Sequence, residues 1–198
     1  MEYNDYWSRI CFWAILKGEN RVSTEYEVRV LEINKKEIIQ KIEKLGGKFE
    51  CIYNQKRYVY DFNPEIDNKW IRLRTDGFKT TLAIKEITNS NIDGTKELEV
   101  EVSGFDETNI ILKELGYIPK ACQENRRTRY MIDGIELDID EWPMIPAYLE
   151  IEGKSEYEVN KMVEILDIEK SNVTAKDVQS IYNDVYGIDI TKIKDLKF

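Results

Sequence analysis

Charged and apolar residues alternate in one strand-like segment of this sequence after another. The charged positions hold acids and bases alike: Glu25, Glu27, Arg29, Arg72, Arg74, Glu97, Glu99, Glu101, Arg127, Arg129, Glu136, Asp138, Asp140, Glu150 and Glu152. Because every second residue of a β-strand lies on the same side of the sheet, these charges share one face, and the residues between them form an apolar face. An ordinary sheet buries its apolar face and leaves its charges in water. The mixture of both signs on one face predicts instead a charged interior that faces a ligand, with the apolar face packed under helices.

Hydrophobic periodicity, turn residues and helix caps predict the elements. Strands are predicted near residues 25–33, 48–54, 56–62, 69–75, 79–87, 96–105, 125–132, 135–141 and 147–153, and helices near 35–45, 106–115, 155–166 and 174–186. Eight or nine sequential, mostly antiparallel strands with one charged face favour an α+β fold. We expect an eight-stranded antiparallel β-barrel, or tunnel, with helices packed outside. A barrel of about eight strands can enclose one small ligand.

The length of 198 residues suits one domain with short additions at its ends. Residues 1–23 are rich in aromatic residues without clear periodicity, and we hypothesise that they are an extension created by a mis-assigned start, with Val22 as the first translated residue. The alternative is a genuine N-terminal helix that packs on the barrel. Residues 24–190 are predicted to form the tunnel domain, and residues 191–198 a C-terminal tail.

Composition excludes several classes of partner. The formal net charge of −9 argues against nonspecific nucleic-acid binding, which needs a basic surface. No apolar run approaches the roughly 18 residues of a membrane span, so no membrane partner is expected. The three cysteines, Cys11, Cys51 and Cys122, lie far apart, which favours reduced thiols and a cytoplasmic location. A homodimer is compatible with the sequence. Histidine is absent, so carboxylates must hold any metal, which favours Mg²⁺ or Mn²⁺ over zinc.

Carboxylates cluster in two places. Glu25 and Glu27 are neighbours on one strand face and repel each other unless a proton, a cation or a metal relieves them. The alternative is a solvated face with a surface salt bridge. A second acidic group lies on two later strands, with a spacing that suits one or two octahedral divalent ions: Asp138, Asp140, Glu150 and Glu152.

Basic residues recur on the same face as these acids. The group comprises Arg72, Arg74, Lys85, Arg127 and Arg129. A planar guanidinium binds phosphate oxygens through two parallel hydrogen bonds, and several inward cations without a ligand would be costly to bury. The alternative is that these cations pair with the facing glutamates. Cations on one wall and carboxylates on the other are what a metal-bound polyphosphate requires.

The ordered series of motifs resembles the CYTH superfamily, the triphosphate tunnel metalloenzymes, over roughly residues 24–190. The signature ExExK corresponds to Glu25-Tyr-Glu27-Val-Arg29, and the similarity continues through Trp70-Ile-Arg72-Leu-Arg74, the Lys85 strand, Glu97-Leu-Glu99-Val-Glu101, Leu137-Asp138-Ile-Asp140 and Tyr148-Leu-Glu150-Ile-Glu152. Members include class IV adenylyl cyclases, thiamine triphosphatases and inorganic tripolyphosphatases. The resemblance implies an eight-stranded antiparallel tunnel.

The resemblance also implies roles for individual residues. The residues that would bind the triphosphate are Arg29, Arg72, Arg74, Lys85 and Arg127. The residues that would bind divalent metals are Glu25, Glu27, Asp138, Glu150 and Glu152, with Asp140 beside them. Arg29 and Glu27 are the candidate catalytic residues, and Glu97, Glu99 and Glu101 form a supporting acidic strand.

Two positions depart from the family pattern. Arg29 replaces the lysine of the signature, which keeps the charge, although in some members that lysine is thought to help activate the attacking water. Asn125-Arg126-Arg127 stands where members often have Lys-x-Arg. One phosphate contact is therefore missing or is supplied by Arg129.

Three functions remain open at this point. We favour metal-dependent hydrolysis of a triphosphate (inorganic tripolyphosphate, thiamine triphosphate or a nucleoside triphosphate), because hydrolysis needs only the triphosphate site. The alternative is a class IV adenylyl cyclase that converts ATP to cyclic AMP and pyrophosphate. The segments Glu141-Trp142-Pro143 and Ile145-Pro146 resemble the subgroup of the family that is commonly labelled cyclase-like. The third is a polyphosphate- or nucleotide-binding module without turnover.

Overall fold

Eight antiparallel strands close into a barrel in the computed structural model, which describes residues 22–198. The strands are β1 (Ser23–Val30), β2 (Lys48–Asp61), β3 (Lys69–Thr75), β4 (Thr80–Ile87), β5 (Thr95–Val102), β6 (Ala121–Ile132), β7 (Ile135–Glu141) and β8 (Tyr148–Gly153). They follow the order β6-β2-β3-β4-β5-β1-β8-β7, and pairing of β7 with β6 closes the ring. The predicted α+β fold and its eight-stranded barrel are confirmed. The hypothesis about the N-terminal extension concerns residues 1–23, of which only Val22 and Ser23 lie within the described range.

Four helices and two short strands within residues 22–198 lie outside the barrel. The helices are α1 (Lys35–Lys44), α2 (Phe105–Glu114), α3 (Glu156–Ile165) and α4 (Val178–Ser180), which continues as a π-helical turn, Ile181–Val185. Strand β9 (Val173–Thr174) pairs with β1, and β10 (Asp195–Leu196) pairs in parallel with β6. The segment predicted as a C-terminal tail therefore includes a strand of the sheet. None of the helices within residues 22–198 has the length and apolar character needed to cross a membrane.

Side-chain caps fix where the helices begin. The Asn34 side chain accepts hydrogen bonds from the backbone N–H groups of Lys36 and Glu37, at the start of α1. Ser155 caps α3 in the same way, by accepting from the N–H of Glu158. These bonds satisfy N–H groups that have no partner inside the helix.

The apolar faces of the strands pack outward against helices. One cluster joins Val28, Leu137, Ile139, Leu149 and Ile151 of the barrel to Ile38 and Ile42 of α1 and to Val159, Met162 and Val163 of α3. A second cluster packs Ile71 and Leu73 of β3 against Leu112 of α2. The prediction that helices cover the apolar face is confirmed for these strands. It is wrong for part of β5, where Val100 is 40% exposed.

Two predicted elements have different bounds in the structure. The separate strands at 48–54 and 56–62 are one strand, β2, because its polar middle pairs residue by residue with β6, as in Gln55 with Asn125. The helix predicted at 174–186 begins only at Val178. Val173 and Thr174 extend the sheet beside β1 instead, and Asp177 caps the short helix that follows.

Candidate functional site

The barrel encloses a cavity of about 1100 Å³ that is lined by the charged face of the strands. The lining includes most of the predicted site residues: Glu25, Glu27, Arg29, Arg72, Arg74, Lys85, Glu97, Glu99, Arg127, Arg129, Asp140, Glu150 and Glu152. Two predicted residues lie elsewhere. Glu101 is exposed at the far end of β5, and Asp138 is 1% exposed behind the arginines that contact it.

Three carboxylates converge in the wall formed by β1 and β8. Glu27, Glu150 and Glu152 each offer an oxygen within 4.8 Å of the others. The strand register places them together, because Glu27 lies directly opposite Glu152, and Glu150 lies two residues away on the same face. We call these three residues the carboxylate group.

Glu152 is the member of the carboxylate group that lacks a cation. No lysine or arginine nitrogen of residues 22–198 lies within 4 Å of it, whereas Arg29 Nη2 lies 3.0 Å from Glu27 Oε2 and 2.7 Å from Glu150 Oε2. Burial, together with the charges of Glu150 and Glu27, raises the pKa of Glu152 to about 7. Three crowded oxygen donors with incomplete neutralisation fit a hard divalent cation such as Mg²⁺ or Mn²⁺.

Asp138 and Asp140 are engaged by arginines and lie outside the carboxylate group. Arg127 Nε lies 2.8 Å from Asp140 Oδ1, and its Nη1 lies 2.7 Å from Asp138 Oδ2. Arg129 forms a second two-point contact with Asp138, at 2.8 and 2.6 Å. The structure thus places these two predicted metal ligands in ion pairs. Because β7 lies between β6 and β8, both aspartates face arginines of β6 across the strand pair.

Glu25 also lies apart from the carboxylate group, although it lines the same cavity. Its Oε2 is 2.8 Å from Lys85 Nζ, and Lys85 also lies 3.2 Å from Glu97 Oε2. Burial is the main reason that the pKa of Glu25 is raised to about 9. Arg72 completes this cluster through Nη2, which lies 2.5 Å from Glu97 Oε1 and 2.9 Å from Glu99 Oε2.

Arg57 of β2 is a cavity residue that the sequence analysis missed. Its side chain lines the cavity beside Arg72 and Arg74, and its guanidinium lies over the Trp142 ring, 4.6 Å from the centroid. The run Gln55-Lys56-Arg57 has no alternating acid, which is the signal that identified the other strands. The available signal was spacing, because Tyr53, Gln55, Arg57 and Val59 fall on one strand face and all line the cavity.

The C-terminal segment forms part of the cavity wall. Arg29 Nη1 donates a hydrogen bond of 2.9 Å to the backbone carbonyl of Lys176, and residues 175–180 line the cavity. Tyr182, one of two aromatic residues in the predicted helix, is fully buried against Trp142 and donates a hydrogen bond to the Pro143 carbonyl. The segment 175–180, rather than Tyr182, therefore borders the cavity.

Comparison with known proteins identifies one family. The profile of the CYTH domain matches residues 23–180. No curated protein matches the sequence significantly.

Several solved structures share the fold. The PH1012 protein from Pyrococcus horikoshii OT3 is 25% identical, with a TM-score of 0.67 over 77% of this chain and 96% of that one. A candidate adenylate cyclase from Vibrio parahaemolyticus is 12% identical, with a TM-score of 0.69 over 81% of this chain and 98% of that one. HpAC1 from Hippeastrum, a candidate adenylyl cyclase with a dominant triphosphatase activity, is 16% identical, with a TM-score of 0.54 over 84% of this chain and 96% of that one. The last two likenesses concern the fold alone.

Proposed function

We propose, because this chain belongs to the CYTH domain family, that it hydrolyses a triphosphate inside the barrel with the help of Mg²⁺ or Mn²⁺. The observation that carries the proposal is the division of the cavity between cations and carboxylates. Arg57, Arg72 and Arg74 line one wall, and the carboxylate group lies on β1 and β8. A metal-bound polyphosphate needs both kinds of contact at once.

Arg72 is oriented before substrate arrives. Glu97 and Glu99 both accept hydrogen bonds from its Nη2, which fixes the position of the guanidinium within the cavity. A guanidinium held in place can bind phosphate oxygens without a large loss of side-chain entropy. Phosphoryl transfer depends mainly on positioning and charge stabilisation, and the residues of this wall supply both.

The carboxylate group would hold the divalent cation. When bound, such a cation neutralises phosphate oxygens and lowers the pKa of a water ligand. Glu27, Glu150 and Glu152 supply oxygen donors only, and their crowding would be relieved by the added positive charge.

Arg29 positions the carboxylate group and does not act as a base. It contacts Glu27, Glu150 and the Lys176 carbonyl, and these neighbouring carboxylates hold its pKa well above the ordinary value despite its burial. A guanidinium stays protonated in proteins, so it cannot accept a proton from water. Because Arg29 stands where the signature has lysine, another group must activate the attacking water.

Cyclisation of ATP is the second candidate, and the size of the cavity favours it. Its volume of about 1100 Å³ exceeds the roughly 300–1,000 Å³ that is typical of small-molecule sites, so a base and a ribose fit beside three phosphates. Hydrolysis remains the main proposal because the charged residues described above account for a triphosphate and for nothing beyond it.

A product assay separates the candidates. Purified protein is incubated with Mg²⁺ or Mn²⁺ and with tripolyphosphate, thiamine triphosphate or ATP, each with and without EDTA. Release of inorganic phosphate that EDTA abolishes supports hydrolysis. Pyrophosphate together with cyclic AMP would replace hydrolysis by cyclisation, and tight binding without products would reduce the protein to a binding module.

A further inference from the structure

Arg57 differs from every other arginine that lines the cavity. Within residues 22–198, no carboxylate oxygen lies within 4 Å of its guanidinium, whereas Arg29, Arg72, Arg74, Arg127 and Arg129 each contact at least one. The side chain is also buried, with 8% of its surface exposed. A buried cation without a counter-charge is unfavourable unless something else supplies the negative charge.

Neutral groups hold Arg57 in place. Its Nη2 donates to Gln55 Oε1 at 2.8 Å and to Asn125 Oδ1, and its plane lies over Trp142. Its Nε is buried and has no hydrogen-bond partner among the described residues. These contacts fix the guanidinium, and they leave its Nη1 without a hydrogen bond within residues 22–198, in a side chain that lines the cavity.

Neighbouring arginines add to the excess of positive charge around Arg57. Burial, followed by the positive charges of Arg74, Arg72 and Arg127, lowers the pKa of Arg57 to about 9. Because a guanidinium keeps its proton in proteins, binding of an anion, and not loss of a proton, relieves this repulsion.

We propose that Arg57 is a phosphate-binding residue, which contacts oxygens of the triphosphate together with Arg72 and Arg74. This inference rests on the proposed function, since it assigns a ligand contact within the same cavity. It adds a residue from β2, a strand in which the sequence identified no site residue. The guanidinium is suited to a polyanion because Arg72 and Arg74 line the same wall of the cavity.

Asn125 forms a unit with Arg57. Its Oδ1 accepts from Arg57 and its Nδ2 lies 3.2 Å from Asp140 Oδ1, so the amide links the cation to the neighbouring strand. A lysine at position 125 could not accept from Arg57 and would place a second cation beside it. Asparagine at this position and arginine at position 57 therefore suit each other.

Arg129, the other candidate for the contact that Asn125 does not make, is already neutralised. Its Nη2 lies 2.6 Å from Asp138 Oδ2 and 2.7 Å from Glu136 Oε2, and these acids raise its pKa. Arg57, which has no carboxylate within 4 Å among residues 22–198, is therefore the better candidate for a phosphate contact.

The test measures tripolyphosphate binding by titration calorimetry in EDTA, where there is no metal-dependent turnover. The variants are Arg57→Gln, Arg57→Lys and, as matched control, Arg126→Gln, which removes an exposed arginine of β6. The Arg57→Gln variant is expected to bind tripolyphosphate about 10- to 100-fold more weakly than the unaltered protein, because it lacks one charged hydrogen-bonding group. Arg57→Lys keeps the charge and loses the planar guanidinium over Trp142, so it should bind less tightly than the unaltered protein and more tightly than Arg57→Gln. Arg126→Gln should bind like the unaltered protein.

A charge relocation completes the design. Arg57→Gln combined with Asn125→Lys returns one cation to the same part of the cavity, so the double variant should bind at least several-fold more tightly than Arg57→Gln alone. Thermal unfolding is recorded for all variants, and Arg57→Gln should be at least as stable as the unaltered protein because it removes an uncompensated charge.

Each adverse outcome has a distinct meaning. If the unaltered protein binds tripolyphosphate and Arg57→Gln binds it equally well, the role of Arg57 is overturned and the proposed function stands. If the unaltered protein binds no tripolyphosphate even when Mg²⁺ is added back, both fail. Failure of Arg57→Gln to fold would show that Arg57 is needed for the fold, and would overturn its assignment as a cation awaiting an anion.

Discussion

Two walls of the barrel carry arginines in opposite circumstances. On the β6–β7 wall, Arg127 contacts the carboxylates of Asp138, Asp140 and Glu150, and these contacts raise its pKa. On the β2–β3 wall, Arg57 contacts no carboxylate within the described range, and its pKa is lowered. Both side chains are buried and both line the same cavity. The number of carboxylates within reach, and not burial, separates a cation that stabilises the barrel from one that is free to bind a ligand.

The largest effect is expected on the β6–β7 wall. Asp140→Asn should lower the free energy of unfolding by about 3 kcal/mol, because it removes one partner of a buried ion pair and leaves Arg127 short of negative charge. Urea denaturation at neutral pH measures the loss. Asp189→Asn is the control, since the pair of Asp189 with Lys192 is exposed and screened by solvent, so its removal should cost much less than that of Asp140. Equal losses in both variants would show that the ion pairs of the β6–β7 wall stabilise the protein no more than an exposed pair does.

The same reasoning applies to carboxylates and predicts the next effect. Glu152 lacks a cation, so Glu152→Gln, like Glu27→Gln, should reduce turnover about 100-fold, which corresponds to about 2.7 kcal/mol of activation free energy. Stability should change little in Glu152→Gln, because no ion pair is broken. Initial rates across a Mg²⁺ titration measure both the loss and any shift in metal dependence. Glu101→Gln, an exposed acid of β5, is the control, and unchanged rates in both site variants would remove the carboxylate group from the mechanism.

Arg72 lies between the two extremes: within residues 22–198 it contacts two carboxylates, Glu97 and Glu99, whereas Arg127 contacts three and Arg57 none. Arg72→Ala should raise KM about 10- to 100-fold, the range expected when a charged hydrogen-bonding group is lost. The increase should be the same for tripolyphosphate, thiamine triphosphate and ATP, since the guanidinium contacts phosphate and no organic group. Steady-state kinetics on all three substrates test this, and an increase confined to one of them would mean that Arg72 recognises another part of the substrate.

The smallest effect on stability is expected at Arg74. It has one carboxylate contact, 3.2 Å from Glu99 Oε2, and burial together with Arg72 lowers its pKa to about 10. Arg74→Gln should therefore change the free energy of unfolding by less than about 1 kcal/mol, in contrast to Asp140→Asn. Urea denaturation of the two variants side by side gives the comparison directly. A loss of 3 kcal/mol at Arg74 would show that the β2–β3 wall depends on its cations as much as the other wall does.

Alternation predicted the barrel and the identity of most cavity residues, because a strand places every second side chain on the same face. It could not predict which charges would pair. Asp138 and Glu152 each belong to a strand in which charged and apolar residues alternate. In the structure, however, Asp138 contacts two arginines, whereas Glu152 faces other acids. β7 pairs with β6 through a local hairpin, which brings Arg129 opposite Asp138, whereas Glu152 faces Glu27 because β8 pairs with β1, a strand from the other end of the domain. The second pairing depends on the closed sheet and has no local signal in the sequence.

Arg57 and the C-terminal segment show two other reasons why prediction fails. The polar run Gln55-Lys56-Arg57 has little intrinsic strand propensity, and its extended conformation comes from pairing with β6. Val173 and Thr174 likewise lie beside β1 because they pair with Val30 and Arg29, a tertiary contact that overrides the local helical pattern at Thr174.

The hydrogen bond from Arg29 to the Lys176 carbonyl joins positions 147 residues apart in the chain. Beyond Lys176, Leu196 is buried beside Trp142, and β10 is hydrogen-bonded to β6. Removal of residues 195–198 would therefore uncover Trp142, which lines the cavity, and would take a strand away from β6.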